Sequence, residues 1–326
     1  MNRRNFIAYV GGAAFAVSSP AHAQVQPVTV IGFLNTASPG PAAPLLDVFR
    51  KSLSAAGYME GRNLTIEYRW AEGQYDRLEA LAADLLRRNV VLIAATGGTV
   101  AAKAAKTVTS TVPILFISGF DPVREGLVTS INRPGGNATG VGVYTAALVQ
   151  KQLEMLQKIV PGHPLAMLVN PDANSTTVEI EHAENASSIL GFPLTILRAR
   201  TDDEINRAFD EAASGGTGAL LISADSFFTS RRAEIVALAA RHRLPVCYPW
   251  PQYVDAGGLI SYGTNLAWAY EQIGAYAGRI LKGDKPDNLP VQLPTTFATA
   301  INLKTAKALG LVIPPLLLVG AEKVIE

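Results

Sequence analysis

Thr96-Gly97-Gly98-Thr99 falls between a short apolar run and a helical stretch. Backbone N–H groups at a helix start attract anions, glycine permits close approach, and threonine donates a hydroxyl. That combination suits a carboxylate. It equally suits an ordinary strand-to-helix turn with Thr99 as N-cap. Ser118, at the end of the next apolar run, would donate to the same anion, and Phe120 would stack on a ligand. Asp225 follows the run Ala219 to Ala224 and precedes Phe227 and Phe228. A carboxylate there would meet an ammonium in a dry cleft through a charge-assisted bond. The alternative for Asp225 is the N-cap of the next helix.

Other candidates sit at matching places. Asn35 and Thr36 follow the first apolar run and offer hydrogen bonds from a cleft floor. Asn170 follows Leu165 to Val169, while Tyr248 and Trp250 stand at the end of another run. Tyr144, Phe120, Phe227 and Trp250 would supply stacking surface for an aromatic group. Asp121, before Pro122, reads as a turn residue. No catalytic set emerges. There is no Gly-x-Ser-x-Gly elbow, no Gly-Lys-Ser/Thr phosphate loop, and no GxGxxG after a strand. His163 lies in a turn and His242 ends a helix. Cys247 lies inside an apolar strand as inert packing. No catalytic residue, metal site or cofactor is expected.

These residues are positioned by a regular alternation of elements. Apolar, β-rich runs at Val28–Leu34, Leu64–Trp70, Val90–Ala95 and Val112–Ile117 read as strands. Helical patterns at 44–56, 75–88 and 99–107 lie between them. A Gly/Pro-rich break, Asn132 to Gly140, precedes a short strand at 141–144. A second series follows, with strands at 165–169, 194–197, 219–223, 246–248 and 258–262. Its helices are expected at 147–159, 175–190, 202–213, 231–242 and 266–281. The tail from Pro290 is mixed. Strands separated by helices of this length build parallel βαβ sheets, and ligands bind at the carboxyl ends of such strands. The expected fold is α/β, with two doubly wound parallel-sheet lobes enclosing a cleft.

Composition narrows the function. The 326 residues hold 28 Lys+Arg against 27 Asp+Glu, with 48% hydrophobic residues. The balance removes the broad basic footprint that non-specific nucleic-acid binding needs. One cysteine excludes an internal disulfide, and four histidines show no paired ligand spacing. Residues 1–23 read as an export signal. Arg3 and Arg4 precede the apolar Phe6–Val17, and Ala21-His22-Ala23 is a small-x-small cleavage site. The secretory and twin-arginine routes both stay open. The mature chain is expected in the periplasm.

Several stretches together resemble the substrate-binding proteins of ABC transporters with the type I periplasmic fold, in the branch that includes tryptophan- and tyrosine-binding members. They are Gly57 to Asn63, Asp121-Pro122-Val123, Arg133 to Gly140, Gly257 to Gly263, Leu281-Lys282-Gly283 and Ile301 to Ala306. The resemblance spans nearly all of the mature chain. It implies two lobes joined by three crossover segments, the first of residues 28–142 with 257–288, the second of 143–256 with 289–326. It also implies that Thr96, Thr99 and Ser118 seat a carboxylate and that Asp225 faces an ammonium. A monomer that shuts on an amino acid or small carboxylate is expected, aromatic side groups being favoured. It would deliver that solute to a permease and ATPase on separate chains. Two rivals are a sensor presenting a solute to a membrane receptor and an enzyme on a similar frame.

Overall fold

The computed structural model describes residues 28–173 and 176–326; the expected export segment, 1–23, lies outside them. In the first lobe the chain runs β1 (Thr29–Asn35), α1 (Pro39–Ala55), β2 (Leu64–Trp70), α2 (Leu78–Arg87), β3 (Ile93–Ala95), α3 (Thr99–Val108), β4 (Ile114–Ser118) and β5 (Ala138–Gly142). The second lobe follows with α4 (Thr145–Ile159), β6 (Leu165–Val169), α5 (Thr176–Leu190), β7 (Leu194–Arg198), α6 (Asp202–Ser214) and β8 (Ala219–Ile222). It continues with α7 (Ser226–Ser230), α8 (Arg232–Arg241), β9 (Val246–Tyr248), α9 (Pro251–Asp255) and β10 (Ile260–Gly263). Helix α10 (Leu266–Leu281) returns to the first lobe. The tail β11 (Ala298–Asn302), α11 (Leu303–Ala308), α12 (Pro315–Val319) and β12 (Lys323–Ile325) ends in the second.

The first sheet has the order β2-β1-β3-β4-β5 and is parallel throughout. The second has the order β12-β11-β10-β9-β8-β6-β7, with β10 and β11 antiparallel. Helices cover both faces, so β4 and β6 are buried at every residue and read as unbroken apolar runs. The chain passes between the lobes three times, after β5, after β10, and after Gln292, whose backbone bridges to Val141.

Several boundaries differ from the sequence reading, each for a local reason. Helix α1 starts at Pro39 rather than Pro44, because proline in the first turn lacks only an N–H that has no helical partner anyway. Strand β5 begins at Ala138, inside the stretch read as a turn. Gly140 is there because a Cβ would lie 2.0 Å from the Phe116 carbonyl oxygen of the neighbouring strand. The helix expected at 231–242 is preceded by the separate short helix α7, capped by Asp225. Residues 257–263, expected in the first lobe, instead supply β10 of the second sheet: Ile260 pairs with Cys247 and Ser261 with Tyr248. The true return to the first lobe is α10. It packs tightly on α1, where a Cβ at Gly274 would meet the Ser52 Cβ at 2.5 Å and the Phe49 carbonyl at 2.8 Å.

Candidate functional site

The carboxyl ends of strands in both sheets face one cavity of about 110 Å3 between the lobes. Asn35, Thr96 and Ile117 contribute from β1, β3 and β4, and Asp225 and Trp250 from the ends of β8 and β9. A side pocket of about 60 Å3 adjoins it, bounded by Tyr75, Thr99, Phe120 and again Asp225. A larger depression, about 860 Å3, lies at the opposite pole of the first lobe, around Val28, Asn89 and Lys285. It is wide open and far from the strands' carboxyl ends. The inter-lobe cavity is the better candidate, being deeper set and lined by the buried polar groups Asn35, Thr96 and Asp225.

The floor on the first lobe is a hydrogen-bonded network. Asn35 Nδ2 donates to Thr96 Oγ1 at 2.9 Å and to the Tyr270 hydroxyl at 3.1 Å, while its Oδ1 accepts from the Ala37 N–H. Thr36 is fully buried, and its hydroxyl donates to the Gly97 carbonyl at 2.9 Å. Its side chain therefore ties two loops together and does not line the cavity. Gly97 is required by that contact, since a Cβ there would lie 2.3 Å from the Thr36 nitrogen. Thr99 and Ser118 face each other with hydroxyl oxygens 2.9 Å apart. Ser118 Oγ also accepts from the Phe120 N–H and donates toward the Phe120 carbonyl. Ser118 is thus spent on its own loop. What the α3 terminus offers the side pocket is chiefly backbone N–H at Gly98 and Thr99, which no helical carbonyl reaches.

Across the cleft, Asp225 fills both roles weighed for it. It is the N-cap of α7, its Oδ1 accepting from the N–H of Phe227 at 2.9 Å and of Phe228 at 3.3 Å. Asn170 Nδ2 donates to the same oxygen at 3.2 Å. Asn170 itself is buried behind Asp225 and lines neither pocket. The Tyr75 hydroxyl donates to Oδ2 at 2.6 Å. Burial pushes the Asp225 carboxyl up from its ordinary value, and the donors from Tyr75, Asn170 and the backbone pull it back. Four donors converge on the carboxylate. Among the described residues Oδ2 accepts from Tyr75 alone, which leaves it a second acceptor position, and Asp225 lines both pockets.

The aromatic candidates separate. Trp250 lines the main cavity and Phe120 the side pocket. Phe227 faces the first lobe elsewhere: one face carries the Arg231 guanidinium at 3.7 Å, and its edge abuts Gly73. Tyr144 adopts the left-handed conformation (φ 48°, ψ 41°) in the first crossover and lies against Gly142, lining neither pocket. Tyr248 is a core residue, fully buried and stacked on Tyr253 with centroids 4.7 Å apart. Inward or outward facing in a strand is set by register, which three residues of sequence do not reveal.

Residues 41–325 match the family model described as ABC transporter substrate binding protein. The chain belongs to this family. It is 25% identical over 268 residues, 81% of this chain and 75% of the relative, to a tyrosine-binding protein of Clostridioides difficile. Among solved structures it resembles a conserved domain protein from Vibrio cholerae, with TM-score 0.83 and 24% identity. It also resembles an ABC domain from Streptococcus pneumonia in complex with L-Trp, with TM-score 0.81 and 23% identity. Each likeness covers 91% of this chain and 99% of the other. Among the described residues, no helix is long and apolar enough to cross a membrane.

In this substrate-binding protein, several lining residues escape a reading of the sequence. Tyr270 arrives from α10, more than 230 positions from its partner Asn35. Leu45 comes from α1 and Thr145 from the start of α4. Tyr75 opens the turn before α2 and reaches the opposite lobe. Glu179, on α5, lines neither pocket but is buried, and burial together with the Asp225 charge pushes its carboxyl up to about 8. Only the helical spacing of these residues is visible in the sequence; their convergence depends on how the lobes pack.

Proposed function

We propose that the chain binds an amino acid, aromatic ones favoured, between its lobes and delivers it unchanged to an ABC permease. Delivery would take place in the periplasm, after cleavage following Ala23. The observation that carries this reading is the opposition of two charges across one inter-lobe pocket. The α3 terminus, at Gly98 and Thr99, presents partial positive charge, and the Asp225 carboxylate stands across the same pocket. A zwitterion satisfies both. Among the described residues, no Lys or Arg side chain lines either inter-lobe pocket, so a ligand carboxylate would rest on backbone N–H groups. Asn35, Thr96 and the Tyr270 hydroxyl would orient it, with Trp250 and Phe120 as apolar walls. That a relative is named for tyrosine binding and a structural neighbour holds L-Trp supports the aromatic preference.

The chemistry proposed is binding and closure. Ligand contacts made only when the lobes meet would stabilise the shut form. The permease and ATPase would be separate chains and the binding protein a monomer. Calorimetry over a panel of amino acids, with their deaminated and decarboxylated analogues, tests the reading. One ligand per chain is expected, with at least a tenfold loss when either charged group is removed. Asp225→Asn should weaken an amino acid by about tenfold or more, since a charge-assisted bond becomes a neutral one. Binding only of compounds without an amino group, or conversion of a bound compound to product, overturns the reading.

A further inference from the structure

The loop that joins β2 to α2 makes the contact with the other lobe best suited to hold the cleft closed. Glu72 and Gly73 both adopt left-handed backbone conformations, φ 56° and 83°, which is costly at a glutamate. The loop is anchored on its own lobe by Glu72 N–H to the Ala37 carbonyl and Gly73 N–H to the Thr36 carbonyl. So folded, it sets Gly73 close against the Phe227 ring: a Cβ would lie 3.1 Å from a ring carbon, tighter than ordinary contact. The Arg231 guanidinium backs the same ring. Two residues on, the Tyr75 hydroxyl donates to Asp225 Oδ2 at 2.6 Å. Tyr75 belongs to the first lobe and Asp225 to the second, so this bond exists only when the lobes are together.

We infer that Tyr75 is a closure and positioning residue: its hydroxyl bond to Asp225 holds the cleft shut before any ligand arrives. It also fixes the carboxylate so that one acceptor site faces the cavity. The bond is short and charge-assisted, and it forms in a setting largely screened from water. Such bonds are about twice as strong as neutral ones. A ligand entering such a protein meets an equilibrium already biased toward the closed form, and Tyr75 sets the bias. The inference rests on the reading above only in taking the cleft as the ligand's place of entry.

The test needs no ligand. Spin labels at exposed Arg88, beyond α2, and exposed Ser188, on α5, report the distance between lobes. Cys247 is buried and its thiol is pushed up to about 12, so it takes no label. Double electron–electron resonance on the ligand-free protein should show a closed population. Tyr75→Phe keeps the ring and removes only the hydroxyl, and should raise the open-to-closed ratio about tenfold. Tyr75→Phe combined with Asp225→Asn should open the cleft no further than the more disruptive of the two single changes. A wild-type distribution already wholly open, or a Tyr75→Phe distribution matching wild type, overturns the inference. Failure of every amino acid to bind while Tyr75→Phe still opens the cleft would sink the ligand assignment and leave this one standing.

Discussion

Asp225 shows how one side chain serves fold and site together. Its Oδ1 is consumed by the α7 cap and Asn170, and its Oδ2 by Tyr75 and the open cavity. Beneath it, Glu179 keeps its proton near neutrality because burial and the Asp225 charge both disfavour ionisation. The unfolded chain loses that proton near an ordinary glutamate value, and the folded chain near 8. The stability Glu179 contributes is therefore complete at low pH, declines as pH rises from about 4.5, and is lost above about 8. Urea denaturation across that range should show the decline, and Glu179→Gln should flatten it; an unchanged slope would refute the assignment. Tyr248 tests the opposite kind of residue. Its hydroxyl is buried with no partner among the described residues, so Tyr248→Phe should be neutral or stabilising by up to about 1 kcal/mol. Ligand affinity should not change, because Tyr248 lies in the core.

At the scale of elements, the cavity is shaped by close approaches that glycine permits. Gly274 lets α10 settle on α1, and α10 carries Tyr270 onto Asn35 and Thr96. Gly274→Val would push two helix backbones apart at a point where backbone cannot yield. It should cost about 2 kcal/mol or more in denaturant melts. Because Tyr270 moves with the helix, affinity should fall as well, although residue 274 touches no ligand. Gly136→Ala, whose added Cβ would meet none of the described residues within 4 Å, is the control and should leave both unchanged.

For the whole molecule, three crossovers join two sheets whose strands' carboxyl ends oppose each other. Binding between such lobes adds to the stability of the closed form by mass action. A ligand at a hundred times its Kd should stabilise the protein by about 2.7 kcal/mol. Thermal melts at rising ligand concentration should show one transition moving upward. Two transitions, only one of them shifting, would mean that a single lobe holds the ligand.

Much of this was legible in the sequence. The alternation of short apolar runs and amphipathic helices determined two parallel α/β lobes, because buried strands and helix faces must display their burial at fixed periods. The residues after each strand determined where a cleft would lie. Asn35, Thr96, Asp225 and Trp250 line the main cavity and Gly97, Thr99 and Phe120 the side pocket, while Thr36, Ser118, Tyr144, Asn170, Phe227 and Tyr248 have their side chains committed elsewhere. Tertiary structure alone decided which sheet takes β10, which aromatic faces the cavity, and which distant residues meet. Pairing of β10 with β9 depends on an edge exposed only once both are folded. The joining of Tyr75 to Asp225 and of Tyr270 to Asn35 depends on packing between elements far apart in the chain, and no local period records such distances.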